Sequence, residues 1–412
     1  MKIIVLLCSI ALASTAIARE LEFISLFNGK DLTGWEGEGY KVEDGAIVCT
    51  PKGKNLFTEA TYANYVLELE FRLPPAGNNG LGIHYPGEGN GAYTGMEIQT
   101  LDNTGKKYQG KLKDYQWHGS LYELQPAKRE GLKPVGEWNK QIVTINGKDV
   151  KVELNGITIL EADLDELNKT HPKHQGAKRR SGHIAFLGHG DPVAYRNIRI
   201  AETAPDSAMF ETDSGWKPLK KPGSFKGWKY REGITNWTDH NGIIKHNGQG
   251  GEIKDLWTEA SYKDFTLSFD WRWSGRGKMK MQPVVQPDGS HKGKAEVEEL
   301  DSGVYLRGDS KSQVNLWNWT IGSGEVYGYR MDKKMPPEVR AGVTPKMKAD
   351  KPLGEWNHME ITMKGDILQV KLNAQHVIED AKLPGVALEG PLALQSHGQA
   401  IDFANILIKE LK

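Results

Sequence analysis

A carboxylate and an amide two residues apart, Glu97 and Gln99 in the stretch Gly95–Asp102 (GMEIQTLD), are the side chains whose types and spacing best suit chemistry on a sugar. On a strand, side chains alternate with period 2, so Glu97 and Gln99 share one face while Met96, Ile98 and Thr100 share the other. The carboxylate can grip hydroxyls and can take or give a proton, and the amide can donate and accept at once. Polar-out alternation is also the ordinary pattern of a solvated strand face, so the pair needs support from the rest of the chain.

Support comes from neighbouring histidines and tyrosines. Gly82 and His84 share one face of the strand expected at Gly80–Tyr85; if that strand lies beside Met96–Leu101, His84 converges on Glu97 and Gln99. Tyr93, Asp102, His118 and Tyr122 fall on flanking loops or strand ends, and His189 sits in the turn Gly188-His-Gly190. Carboxylates, histidines and tyrosines together are the inventory of acid–base chemistry. Singly each is weak: a histidine in a turn is more often structural, although His397 repeats His189 later in the chain. Trp138 and Trp356, each within Gly-Glu-Trp-Asn, read as buried aromatics beside a turn, and Asn197 and Asn405 as partners of backbone groups.

The elements that must position these residues are mostly strands. Candidates are Lys41–Thr50, Tyr65–Arg72, Gly80–Tyr85, Met96–Leu101, Gln141–Ile145, Asp149–Leu154, Ile157–Glu161, His183–Phe186 and Ala194–Ala201, punctuated by turn pairs such as Asn146-Gly147 and Asn155-Gly156. The only helix-like pieces are short, such as Asp163–Asn168. Many short strands with such punctuation indicate an all-β sandwich or jelly roll. No βαβ rhythm and no G-x-G-x-x-G after a strand is present, which argues against a nucleotide cofactor in a Rossmann fold.

The pattern occurs twice. Leu56–Tyr62 (LFTEATY) returns as Leu256–Tyr262 (LWTEASY), Gly136–Asn139 as Gly354–Asn357, Val152–Gly156 as Val370–Ala374, and Gly182–Ile200 as Gly390–Ile408. Blocks in the same order near a 200-residue period imply a duplicated domain rather than a solenoid. The expected division is 22–203 for the first copy, 204–208 for the joint and 209–412 for the second. An offset of 218, carried back from Gly354–Asn357, sets Asn315 opposite Glu97 and Trp317 opposite Gln99; the match of Ser302–Gly308 to Asn79–Tyr85 sets Arg307 opposite His84, and Trp319 follows Trp317. Arginine and tryptophan bind and stack, but asparagine cannot replace an ionised acid, so chemistry is expected in the first copy.

Length, charge and cysteines bound the rest. At 412 residues the chain exceeds one ordinary core. Lys+Arg and Asp+Glu are both 53, which argues against a nucleic-acid partner. Residues 1–18 have a basic start, an apolar run and the small-residue end Ala16-Ile17-Ala18 of an export signal; Cys8 follows Leu6-Leu7 and leaves a lipoprotein as a weaker reading. With the signal removed, Cys49 stands alone, so no internal disulfide is expected. No later segment is apolar enough to span a bilayer, and a secreted or periplasmic protein is expected.

Ser25–Trp35 (SLFNGKDLTGW) resembles the opening of the 3-keto-disaccharide hydrolase domain family, Gly95–Asp102 its G-x-E-x-Q-x-x-D core, and Gly136–Asn139, Val152–Gly156 and Tyr195–Ile200 its later blocks. His84-Tyr85 stands where the family often has Arg-Gly, which the second copy keeps as Arg307-Gly308. The resemblance implies two tandem concanavalin A-like jelly-roll sandwiches and action on glycosides oxidised at C3. A C3 ketone acidifies the hydrogen on C2 and lets the C1 group leave; water added back gives hydrolysis, and otherwise the outcome is that of a lyase. Glu97 or His84 is the expected base, Tyr122 or His189 the acid, with Gln99 and Asp102 on hydroxyls and Tyr93, His118, Arg307, Asn315 and Trp317 as further sugar contacts. No cofactor is expected; a divalent cation beside the ketone is the alternative stabiliser of the enolate. Two rivals remain: a non-catalytic lectin, since lectins share this sandwich, and an ordinary glycanase, which needs paired carboxylates where Glu97-Ile-Gln-Thr-Leu-Asp102 has Gln99 at its centre.

Overall fold

Period-2 burial runs through the strands of the computed structural model. It describes residues 21–206, 215–221, 223–230, 233–249 and 254–411; the expected export signal lies outside them, as do positions 207 and 208 of the expected joint. In Tyr65–Arg72 the residues Tyr65, Leu67, Leu69 and Phe71 are buried and their alternates are half-exposed or open. Asn155-Gly156 turns the chain tightly between Asp149–Leu154 and Ile157–Asp163, with φ of 50° and 85°. The short helix Leu164–Thr170 starts where Asp163 accepts the backbone N–H of Asp165 at 2.8 Å and of Glu166 at 3.1 Å.

Each copy is a two-layer antiparallel sandwich. In the first, an eight-stranded sheet is ordered Ile157–Asp163, Asp149–Leu154, Trp138–Asn146, Tyr65–Arg72, Ala194–Glu202, Ala46–Cys49, Tyr40–Glu43, with Ile24–Ser25 on the side of Ala194–Glu202. Facing it is a five-stranded sheet ordered Trp35–Gly37, Asn55–Thr58, His183–Gly188, Asn78–Tyr85, Met96–Leu101. Leu67, Phe71, Val143 and Ile200 from one layer pack on Leu81, Ile83, Met96, Ile98 and Phe186 from the other. Phe186 stacks on Tyr195 at 3.8 Å and on Trp35 at 5.1 Å, pinning the layers together.

The second copy repeats the eight-stranded layer, with Phe265–Trp273 in the place of Tyr65–Arg72 and Ala400–Glu410 in the place of Ala194–Glu202. Its smaller layer has four strands: Leu256–Trp257, Ala393–Leu394, Asp301–Leu306 and Asp309–Trp317. Where the first copy passes from Arg72 to Asn78 by a short loop, the second inserts the hairpin Lys278–Val285 and His291–Glu299. No helix among the described residues is long and apolar enough to cross a membrane.

Candidate functional site

Met96–Leu101 is the edge strand of the five-stranded sheet, paired with Asn78–Tyr85 in the register Gly82↔Glu97 and Gly80↔Gln99. Met96 and Ile98 enter the core; Glu97, Gln99 and Leu101 face a cavity of about 760 Å³. That size suits a small ligand. Every residue of this strand is buried, so its polar face is not a solvated surface but the floor of a hollow.

Gly80 is what lets Glu97 lie there. A Cβ on Gly80 would collide with the Glu97 carboxyl group, so only glycine leaves room for it. Glu97 is 4% exposed, and its Oε1 has no hydrogen-bond partner. Burial alone pushes its carboxyl up to about 8. His189 Nε2 stands 4.0 Å from that Oε1, and burial holds its imidazole below the usual range, so it is neutral near pH 7. The turn bearing His189 is fixed by Asp191, which accepts the Asn78 N–H at 3.0 Å and Lys107 at 3.3 Å.

The facing wall is aromatic. The carbonyl of Glu97 accepts the Tyr122 N–H at 2.9 Å, so the acid strand itself places that tyrosine. Tyr122 packs edge-on against Tyr93 at 6.3 Å and Tyr115 at 5.7 Å, and Gln116 donates to its hydroxyl at 3.4 Å. Tyr93, 39% exposed, lines the mouth; burial raises its hydroxyl to about 12. Gln99 donates to Asn78 at 3.1 Å, and Asn55 donates to Tyr85 at 3.1 Å, which sets a row of amides along the floor.

Thus Glu97, Gln99, His189, Tyr122 and Tyr93 come together, and other expected residues do not. His84 neighbours the acid strand as foreseen, but a bulge gives it a φ of 52° and turns it out of alternation; it is fully buried, and burial lowers its imidazole to about 4. Tyr85 lines the cavity instead. His118 faces the core against Phe71, 5.0 Å between rings, with its imidazole lowered to about 3 by burial. Asp102 is spent on backbone, accepting Ala76 N–H at 2.6 Å and Thr104 N–H at 2.9 Å. Asn55, Asn78, Tyr85 and Gly80 are site residues the sequence reading missed; the alternating Gly80-Leu-Gly82 opposite Glu97 and Gln99 was the available signal.

The second copy corrects the alignment by two residues. Gly303 pairs with Asn315 as Gly80 pairs with Gln99, and a Cβ on Gly303 would collide with Gln313 as one on Gly80 would with Glu97. Gln313, not Asn315, therefore occupies the place of Glu97; Asn315 matches Gln99, and Trp317 matches Leu101. Gln313 donates to Gln395 at 2.7 Å, and the ring of Tyr305, in the place of Gly82, packs on Trp257 at 5.5 Å. Trp317 is 1% exposed and stacks on Trp319 at 4.1 Å, while Asn315 is 4% exposed: neither is an open sugar platform. Arg307 sits on the same bulge as His84, with the same φ of 52°, and its guanidinium binds the carbonyls of Gly365 at 2.6 Å and Ala387 at 3.0 Å. It ties loops together away from the groove.

Among the described residues no three of His, Cys, Asp and Glu gather as a metal cluster. Of the carboxylates lining the cavity, Glu38 is exposed and paired with Lys54 at 2.6 Å, whereas Glu97 is buried.

A protein of Bacteroides thetaiotaomicron named 3-keto-disaccharide hydrolase is 27% identical to this chain, over 43% of the chain and 77% of that protein. A candidate glycosyl hydrolase from Parabacteroides distasonis of known structure is 26% identical, with a TM-score of 0.40, over 44% of this chain and 99% of its own. The carbohydrate binding module CBM66 of Bacillus subtilis aligns at 18% identity and a TM-score of 0.27, over 48% of this chain and 96% of its own. Each of these two solved structures spans less than half of this chain. Its residues 22–201 and again 214–409 fit one domain pattern, and the chain belongs to the 3-keto-alpha-glucoside-1,2-lyase-like domain family.

Proposed function

We propose that the first copy cleaves 3-keto-glycosides, and that the protein does so outside the cytoplasm, as the apolar run at its start suggests. The family match and the named relative support the substrate class. The carrying observation is Glu97: a buried carboxyl on a cavity floor, with an unpartnered oxygen and a strongly raised pKa. A raised pKa makes its carboxylate a stronger base, which suits removal of a carbon-bound proton.

The step runs as follows. The Glu97 carboxylate takes the proton on C2, and the C–H electron pair moves toward the C3 ketone as an enolate. The amides of Gln99, Asn78 and Asn55 offer donors to the enolate oxygen and the ring hydroxyls. The enolate then collapses toward C1, the bond from C1 to the glycosidic oxygen breaks, and the departing oxygen takes a proton from Tyr122. His189, neutral beside Glu97, relays the abstracted proton through water to the Tyr122 phenolate, which restores both the base and the acid. Water adding back across the new double bond gives net hydrolysis; release without it gives the unsaturated sugar of a lyase.

Glu97→Gln is the direct test. It keeps the shape and removes the base, so cleavage of a 3-keto-glucoside should fall at least about a hundredfold, with products followed chromatographically. Undiminished cleavage by that variant removes Glu97 from the chemistry.

A further inference from the structure

A second hollow, of about 530 Å³, opens where the two copies meet. The first copy gives it Tyr85, Glu88 and His183, and the second gives Arg276, Met279 and Glu298. Tyr85 borders both this hollow and the acid cavity. Its ring packs edge-on against Phe57 at 5.4 Å, and Phe57, which lines the acid cavity, packs against His183 at 5.1 Å. The rim loop 86–90 runs between the two: Gly87 and Glu88 line the junction, and Asn90 lines the acid cavity.

Arg276 reaches across to this rim. Its Nη2 lies 2.8 Å from His183 Nε2, and a Cβ on Gly87 would come within 2.9 Å of that same nitrogen. Arg276 and Met279 stand at the root of the hairpin Lys278–Val285 and His291–Glu299, which the first copy lacks at the corresponding place. The catalytic copy thus borrows a wall from its duplicate, next to the rim of its own site.

We propose that the junction hollow is the leaving-group subsite of the acid cavity, taking the sugar or other hydroxylated alcohol released from C1. Arg276 offers donors and Glu88 and Glu298 acceptors for its hydroxyls, while the 59% exposed Met279 offers apolar surface to its C–H face. A cavity in the range of about 300–1,000 Å³ accommodates such a group. The assignment rests on the reading of Glu97 given above.

The test compares leaving groups of two sizes. Wild type, Arg276→Ala and Met279→Ser are assayed on methyl 3-keto-glucoside and on a 3-keto-disaccharide, and titrated calorimetrically with free glucose as a stand-in for the leaving sugar. KM for the disaccharide should rise about tenfold in Arg276→Ala, roughly one charged hydrogen bond's worth, and should rise in Met279→Ser through lost apolar contact, with kcat and the methyl glycoside little changed and glucose binding weakened in both. Because Met279 is mostly exposed, its substitution does not threaten the fold. Equal losses on both substrates, or none on either, overturn the subsite and leave the Glu97 reading standing. No cleavage of either substrate by wild type overturns the Glu97 reading and the leaving-group role with it, even if glucose binding still depends on Arg276.

Discussion

A carboxyl raised to about 8 from an ordinary 4.5 ties Glu97 to pH in two ways. Between those values the folded chain holds a proton that the unfolded chain has released, so stability present below pH 4.5 is lost as pH rises toward 8. The loss is up to ~5 kcal/mol. Thermal melts should therefore show wild type falling further than Glu97→Gln between pH 5 and pH 9. His84 and His118 act on the other flank: both are buried and neutral, with lowered imidazoles, so their contribution is lost as pH falls below 6.5. The rate follows the base, and kcat/KM for a 3-keto-glucoside should rise with pH to an inflection near 8; a profile flat from pH 6 to 9 would assign the proton transfer elsewhere. Glu97 and Gln99 were legible because six alternating residues fix which side each takes. Asn55, Asn78 and Tyr85 were not, because they lie at strand ends whose aim depends on strand order and on a bulge.

That bulge governs the element scale. His84 and Arg307 occupy one backbone position in the two copies, both in the left-handed region, and a bulge at a residue other than glycine leaves no mark in a hydrophobic pattern. Strict alternation then puts His84 with Gly82, which the fold does not. The two-residue slip that matched Asn315 to Glu97 has a related cause. Counting back through loops of unequal length loses the register, and a slip of two keeps every side chain on its proper face, so alternation cannot reveal it. The conclusion drawn from it survives with a different residue, since Gln313 is no more an ionisable acid than asparagine is. Hairpins were read well, because Asn155-Gly156 states its turn chemically. Arg307 carries an element-scale prediction: Arg307→Met removes a buried guanidinium and its bonds to the carbonyls of Gly365 and Ala387 and to Asp264. It should cost about 3 kcal/mol in denaturant unfolding, with cleavage by the first copy at native conditions unchanged.

Across the whole molecule, the copies are joined by a shut-in set of charges. Arg272 of the second copy bonds Asp402 at 3.0 Å and also pairs with Glu202 of the first, which in turn pairs with Lys245; Arg272, Glu202 and Asp402 are all buried. The Arg180 N–H adds a bond to Glu355 at 3.2 Å, and the indole of Trp356 lies 5.3 Å from the Arg272 guanidinium. Duplication was plain from four repeated blocks, but which surfaces meet was not, because Glu202 and Arg272 are unremarkable letters until two strands from different copies abut. Calorimetry should show wild type unfolding in one transition. Glu202→Ala, which leaves Arg272 and Lys245 to share Asp402, should cost about 3 kcal/mol and split that transition in two; a split already present in wild type would refute the coupling. Dissolved ions screen a pair such as Lys54–Glu38, whose side chains are 72% and 71% exposed, far more than buried Arg272, Glu202 and Asp402, which line a hollow of about 290 Å³. The halves should accordingly stay locked in molar sodium chloride, and a protein held together this way is suited to surroundings whose ionic strength the cell does not control.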